Sequence, residues 1–156
     1  MVLLLTIDQC DPNYIVVGKR QKNKVMDQSS FYKFVYHSPD VSLYNLFLDI
    51  QFTNVVIDKH YNKFRLSFNV DENKEMIDHL SYLERNIVGL SEFDDTYQVS
   101  YTLRDQLLTG VLKSVSSENV RSSAILGSHN QCSIALKISG IWEAKGDYGL
   151  IFKWFF

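Results

Sequence analysis

The chain has 156 residues, 46% of them hydrophobic and 13% aromatic, and a formal net charge of −2. That length suits about one domain with a real core, and the aromatic share suits sheets better than helical bundles, so extended disorder is not expected. The slight negative balance gives no molecule-wide positive field towards nucleic acid or acidic lipid, and any such binding has to come from a local patch.

Met1-Val-Leu-Leu-Leu-Thr-Ile7 reads as a first strand. It has no basic flank and stops at Asp8, too short for a signal-peptide core with its cleavage site. No run approaches the roughly 20 apolar residues needed to cross a bilayer, so no membrane partner is expected. Cys10 and Cys132 sit in no Cys-x-x-Cys spacing, which argues against a zinc site or a disulfide framework and fits a reducing, intracellular setting. Asp11, Pro12 and Asn13 then form a turn before a short strand at residues 15–17.

Residues 18–24 hold the densest basic run, Lys19, Arg20, Lys22 and Lys24, expected as a loop. Such a run either grips phosphates or is simply solvated. Residues 31–36 are strand-prone, with Lys33 between aromatics, and Ser38-Pro-Asp40 ends them because proline has no N–H to give a ladder. Leu43, Leu46, Phe47 and Ile50 match a helical face, whereas Phe52, Thr53, Val55, Val56 and Ile57 tilt the later half of this region to strand. At residues 63–70 the alternation is clearest: Phe64, Leu66, Phe68 and Val70 against Lys63, Arg65, Ser67 and Asn69, a core wall with a basic outer face.

The main helix is expected over residues 73–88, with Asp71 as N-cap, Glu72 and Glu75 at its positive end and Gly89 just past its end. Met76, Ile77, Leu80, Leu83, Ile87 and Val88 form its apolar stripe, read as core packing. After the acidic loop at residues 91–96, residues 97–103 alternate as a strand. Residues 104–127 fit strand or a short helix around Leu107, Leu108, Val111, Leu112 and Val115. The last 25 residues read as a long hairpin at the centre of the core. Cys132, Ile134, Leu136, Ile138 and Trp142 are expected inward on one strand, and Tyr148, Leu150, Phe152, Trp154 and Phe156 on the other.

Tests for chemistry give no catalytic centre, metal site or cofactor. His37, His60, His79 and His129 lie in separate segments without metal-ligand spacing, and there is no nucleophile elbow or phosphate loop. Asp94 and Asp95 with Glu143 and Lys145 are the best enzymatic lead, as an acidic pair plus lysine of the kind metal-dependent nucleases use. A binding constellation has more parts. Lys63 and Arg65 line one polar strand face, Lys137 and Lys153 occupy polar positions of the hairpin, Lys33 adds a cation, and the run from Lys19 to Lys24 adds mobile charge. Trp142 and Tyr148, beside the hairpin turn, are placed to stack on unpaired bases.

Strands, then one helix, then further strands matches the order of an OB-like β-barrel, here a mostly β domain with one main helix and extra strands. Leu136-Lys-Ile-Ser-Gly-Ile-Trp142 and Tyr148-Gly-Leu-Ile-Phe-Lys153 resemble the C-terminal part of single-stranded-DNA-binding proteins of large DNA viruses. The resemblance covers this hairpin and, more loosely, residues 63–88. It implies an OB-type barrel that coats single-stranded DNA in viral replication or recombination, whereas the binding constellation by itself fits single-stranded DNA or RNA. Many such binders carry an acidic tail, whereas this chain ends Lys153-Trp-Phe-Phe156. A structural or protein-interaction β-domain, such as a viral assembly component forming a homo-oligomer through an exposed aromatic edge, is the alternative.

Overall fold

The computed structural model describes residues 3–25, 28–61, 63–114 and 126–156. Within them the elements follow in the order β1 (Leu4–Thr6), β2 (Ile15–Lys22), β3 (Ser29–His37), β4 (Ser42–Leu43), β5 (Leu46–His60), β6 (Lys63–Phe68), α1 (Lys74–Val88), β7 (Gln98–Ser100), α2 (Thr102–Leu108), β8 (Val111–Lys113), β9 (Gly127–Ala144) and β10 (Asp147–Phe155). The protein is mostly β with one main helix. None of its described helices is long and apolar enough to cross a membrane.

The C-terminal hairpin β9–β10 is the middle of the sheet. At 18 residues β9 far exceeds an ordinary strand and serves three neighbours. One edge pairs with β10 from Ala135 to Ala144, while the other takes β5 from Gly127 to Ile138 and β3 from Gly140 to Ala144. With β2 outside β3, and β6 then β8 beyond β5, the path β2-β3-β9-β5-β6-β8 is open among the described residues. Pairing along it is antiparallel, and among the described residues only the short β1 on β5 and β7 on β10 run parallel.

Two local irregularities set which side chains meet the core. A strict two-residue period from Leu46 would turn Val55 and Ile57 outward. Asn54, in the left-handed region at φ 53, resets the phase, and both are buried. In β9 the register slips by one residue opposite Ile151 and Phe152, leaving Ser139 as a bulge. Beyond it the buried positions become Ile141 and Glu143, and Trp142 turns to the other face. The inward Trp142 expected from simple alternation is thereby corrected.

The helices cover one face of this sheet. Ile77, Leu80, Leu83, Ile87 and Val88 of α1, with Leu103 and Leu107 of α2, join Leu46, Leu48, Ile50 and Phe52 of β5, Leu136 and Ile138 of β9 and Leu150 and Trp154 of β10 in one buried cluster. Phe52 meets Phe68 and Trp154 edge to face or tilted, and Trp154 Nε1 donates to Gln106 Oε1 of α2 at 3.0 Å.

Several sequence expectations change for physical reasons. The basic run is mostly strand: Lys19, Arg20 and Lys22 belong to β2 because their backbone finds a ladder on β3, with a bulge at Gly18 and Lys19 opposite Lys33. Leu46 onwards is strand rather than helix, since β5 is clasped by β9 on one edge and by β1 and β6 on the other. The strand at residues 97–103 shrinks to Gln98–Ser100, because the Glu84 carboxylate accepts the Leu103 and Arg104 N–H groups and starts α2 there. Val115 lies outside the described residues.

Asp71 is not the cap of α1. Residues Asp71–Asn73 form a 3₁₀ turn, and Gly89 stays right-handed at φ −67. Asn73, buried at the helix start, spends its amide on the sheet edge instead. Its Oδ1 accepts from Thr53 N–H at 2.8 Å, and its Nδ2 donates to the Thr53 and Asn69 carbonyls at 3.0 and 2.9 Å. It thus stands in for a missing strand neighbour of β5. Asn73→Ala is expected to destabilise the fold by about 1–3 kcal/mol, the loss of three hydrogen bonds made by one buried side chain, read as a lower urea midpoint with an unchanged m-value.

Candidate functional site

Directly opposed residues in a ladder share a face, and β10 is unbroken, so it orders the face that the helices leave uncovered. Gly149, Ile151, Lys153 and Phe155 alternate along it. Opposite them on β9 stand Trp142, Gly140, Lys137 and Ala135. On the far edge of β9, Phe31 and Lys33 of β3 oppose Trp142 and Gly140, while Phe47 and Asp49 of β5 oppose Lys137 and Ala135. Four rows result: Phe31–Trp142–Gly149, Lys33–Gly140–Ile151, Phe47–Lys137–Lys153 and Asp49–Ala135–Phe155.

Three cations and four large aromatics therefore share one uncovered face. Lys33 Nζ lies 6.0 Å from the Phe31 ring centroid and Lys137 Nζ 5.9 Å from that of Phe47, within cation–π range. Phe47 and Phe155 are tilted neighbours at 6.2 Å. Lys137 and Lys153 stand directly opposite each other, an arrangement that repels. Among the described residues the ion pairs are Arg20–Glu143 and Arg65–Asp58, and neither touches these lysines. The Trp142 indole lies across Gly149, where an added Cβ would come within 2.9 Å of its Cζ2 and Nε1. Only glycine lets the ring settle on the sheet there.

Of the residues picked out from sequence, Lys33, Lys137, Lys153 and Trp142 come together, with exposed Lys19 at the bulge opposite Lys33. The others do not. Arg20 and Lys22 oppose Tyr32 and Ser30 on the other face, where Arg20 Nε donates to Ser30 Oγ at 2.8 Å and its guanidinium meets Glu143 at 3.6 Å. Lys24 is exposed in the β2–β3 turn. Arg65 is engaged by both Asp58 oxygens at 3.2 and 3.0 Å, and this hydrogen bonding holds the Asp58 carboxyl below its ordinary range. Lys63 and Arg65 pair with His60 and Asp58, roughly 35–45 Å of strand beyond Phe47. Tyr148 is on the helix side, stacked against Phe93 at 4.4 Å.

That stacking and the β7–β10 pairing bring the acidic loop beside the hairpin turn, yet its carboxylates do not assemble. Asp94 accepts from Thr96, which lowers its pKa, and Glu143 is buried against Arg20 with Oε2 left without a hydrogen bond among the described residues. Among the described residues no group of three or more His, Cys, Asp or Glu is placed to hold a metal ion. Cys10 is buried, and burial, with Asp11 beside it, pushes its thiol up to about 12, far from the thiolate a nucleophile requires.

Sequence reading missed Phe31, Phe47 and Phe155 as parts of this face. Each holds a position alternating with the buried set of its strand, and that is the signal available. Comparison with protein-family models, curated proteins and solved structures finds no match to this chain. Function is accordingly argued from the chemistry of the face.

Proposed function

We propose that the chain is a non-enzymatic binder of single-stranded nucleic acid, DNA in first place, and that the uncovered face of β3, β5, β9 and β10 is its binding surface. The Lys137–Lys153 pair carries the proposal. Two like charges opposed across a ladder cost stability, neither lysine is ion-paired among the described residues, Asp49 standing one row away, and a phosphate between them removes that cost. The aromatics around them supply faces on which bases of any sequence stack. The acidic net charge is no obstacle, because the cations are gathered on one face while Arg20 and Arg65 are neutralised elsewhere.

An OB-like closure of the sheet and a role in viral replication or recombination belong to the proposal through the sequence resemblance. A protein-docking edge is less well supported. The strand path ends on β2, which bears Lys19, Arg20 and Lys22 and a bulge, and on β8, which is three residues long; charge, bulges and shortness all guard an edge against pairing.

Titration of a labelled oligo(dT) at about 50 and about 200 mM salt tests the reading. With three phosphate-neutralising lysines, log K should fall with log salt at a slope of about −2, or about 20-fold over that interval. Absence of binding at micromolar protein in the lower salt would sink it, as would binding indifferent to salt.

A further inference from the structure

A cavity of about 360 Å³ opens beside the hairpin turn, walled on the open face by Phe31, Trp142, Ala144 and Ile151, with Ser30 and the Arg20-paired Glu143 reaching it from the other face. Its walls are aromatic and aliphatic, as a site for the flat face of a base requires. The cations lie to one side of it. Lys33 is one row away, and the Lys137–Lys153 pair comes next, at four residues of β10 from Gly149, about 13 Å. Beyond that pair Phe47 and Phe155 form a second aromatic station.

Resting on the binding function proposed above, we infer that this cavity seats one unstacked base against Trp142, and that the strand leaves it over Lys33 and the lysine pair to Phe47 and Phe155. The order along β9 and β10 is base slot, cation, cation pair, aromatic platform. A patch that short holds about four nucleotides, the low end for single-strand sites. Trp142 contributes stacking, and the lysines carry the salt dependence.

The chain has two Trp residues, and Trp154 is only 2% exposed, so a change of indole emission on binding reports Trp142. Oligo(dT) of two, four, eight and sixteen nucleotides should show affinity per site levelling off at about four, with quenching of that emission. Trp142→Ala should weaken binding about 5- to 150-fold, the range for losing one stacked base, and leave the salt slope unchanged. Tetramers with one abasic position at a time give the sharper readout. One position should lose affinity in the wild type and lose no more in Trp142→Ala, because both changes remove the same contact.

Binding with unquenched emission would overturn the slot while leaving the binding function standing, and so would abasic losses that simply add to that of the variant. No binding by the wild type would remove both. Should Trp142→Ala fail to fold by circular dichroism, Trp142→Phe takes its place. It keeps a ring, and is expected to show a smaller loss with the same abasic coupling; without that coupling the slot assignment fails.

Discussion

Reversing the charge of Lys153 is expected to weaken binding of single-stranded DNA by about 10- to 100-fold while making the folded protein more stable by about 0.2–1 kcal/mol. The binding loss is that of one charge-assisted hydrogen bond to phosphate. The stability gain has a separate origin: Lys153 faces Lys137 across the β9–β10 ladder, and Lys153→Glu turns a repelling pair into an attracting one. A substitution that harmed binding by damaging the fold would move both quantities down together. Opposite signs, read from a urea midpoint and an oligonucleotide titration on the same preparation, mark a residue retained for its ligand rather than for the sheet. Arg65→Gln is the control. Asp58 already engages that guanidinium at the far end of β5, so affinity should stay as it is. A Lys153→Glu protein with undiminished affinity would remove the lysine pair from the site.

This contrast also shows what a linear sequence discloses. The α1 stripe and the alternation of β6 were legible because each depends on a period that one element carries by itself. Lys137 and Lys153 were legible as polar positions of a hairpin. That they oppose each other depends on the register, which the Ser139 bulge shifts by one residue within β9. The same bulge moved Trp142 from the expected core face to the open one.

Long-range pairing hid the remainder. The run from Lys19 to Lys22 reads as loop until β3 supplies it a ladder, and Arg65 reads as a free cation until the β5–β6 register sets Asp58 opposite it. Residues 43–50 fit a helical face as well as a strand, and pairing with β9 decides between them. Glu84 left one local trace. It falls inside the apolar stripe of α1, between Leu83 and Ile87, where a carboxylate has no reason to be unless something polar meets it.

That carboxylate makes the second large prediction. Glu84 is 1% exposed and accepts the Leu103 N–H at 2.9 Å and the Arg104 N–H at 3.0 Å, so one side chain of α1 closes the N-terminus of α2. Through Leu103, Leu107 and the Gln106 contact to Trp154, α2 in turn seals the end of the core. Glu84→Ala would orphan two donors and open a void, and is expected to cost about 2–4 kcal/mol, measured by urea unfolding. Glu84→Gln keeps one acceptor and should cost less.

The pH dependence separates the forces at this position. Burial is the largest influence and pushes the Glu84 carboxyl above its ordinary value, with Asp105 adding to it; the two backbone N–H groups and Arg104 pull the other way. A carboxyl with a raised folded-state pKa contributes its full stabilisation below the unfolded value and loses it as pH rises through the folded one. Glutamine does not titrate. The stability difference between wild type and Glu84→Gln should therefore shift in the variant's favour as pH climbs from the ordinary glutamate range upward. A shift towards the wild type would mean that the two amide donors outweigh burial, and that Glu84 holds α2 as a carboxylate whose charge the fold favours.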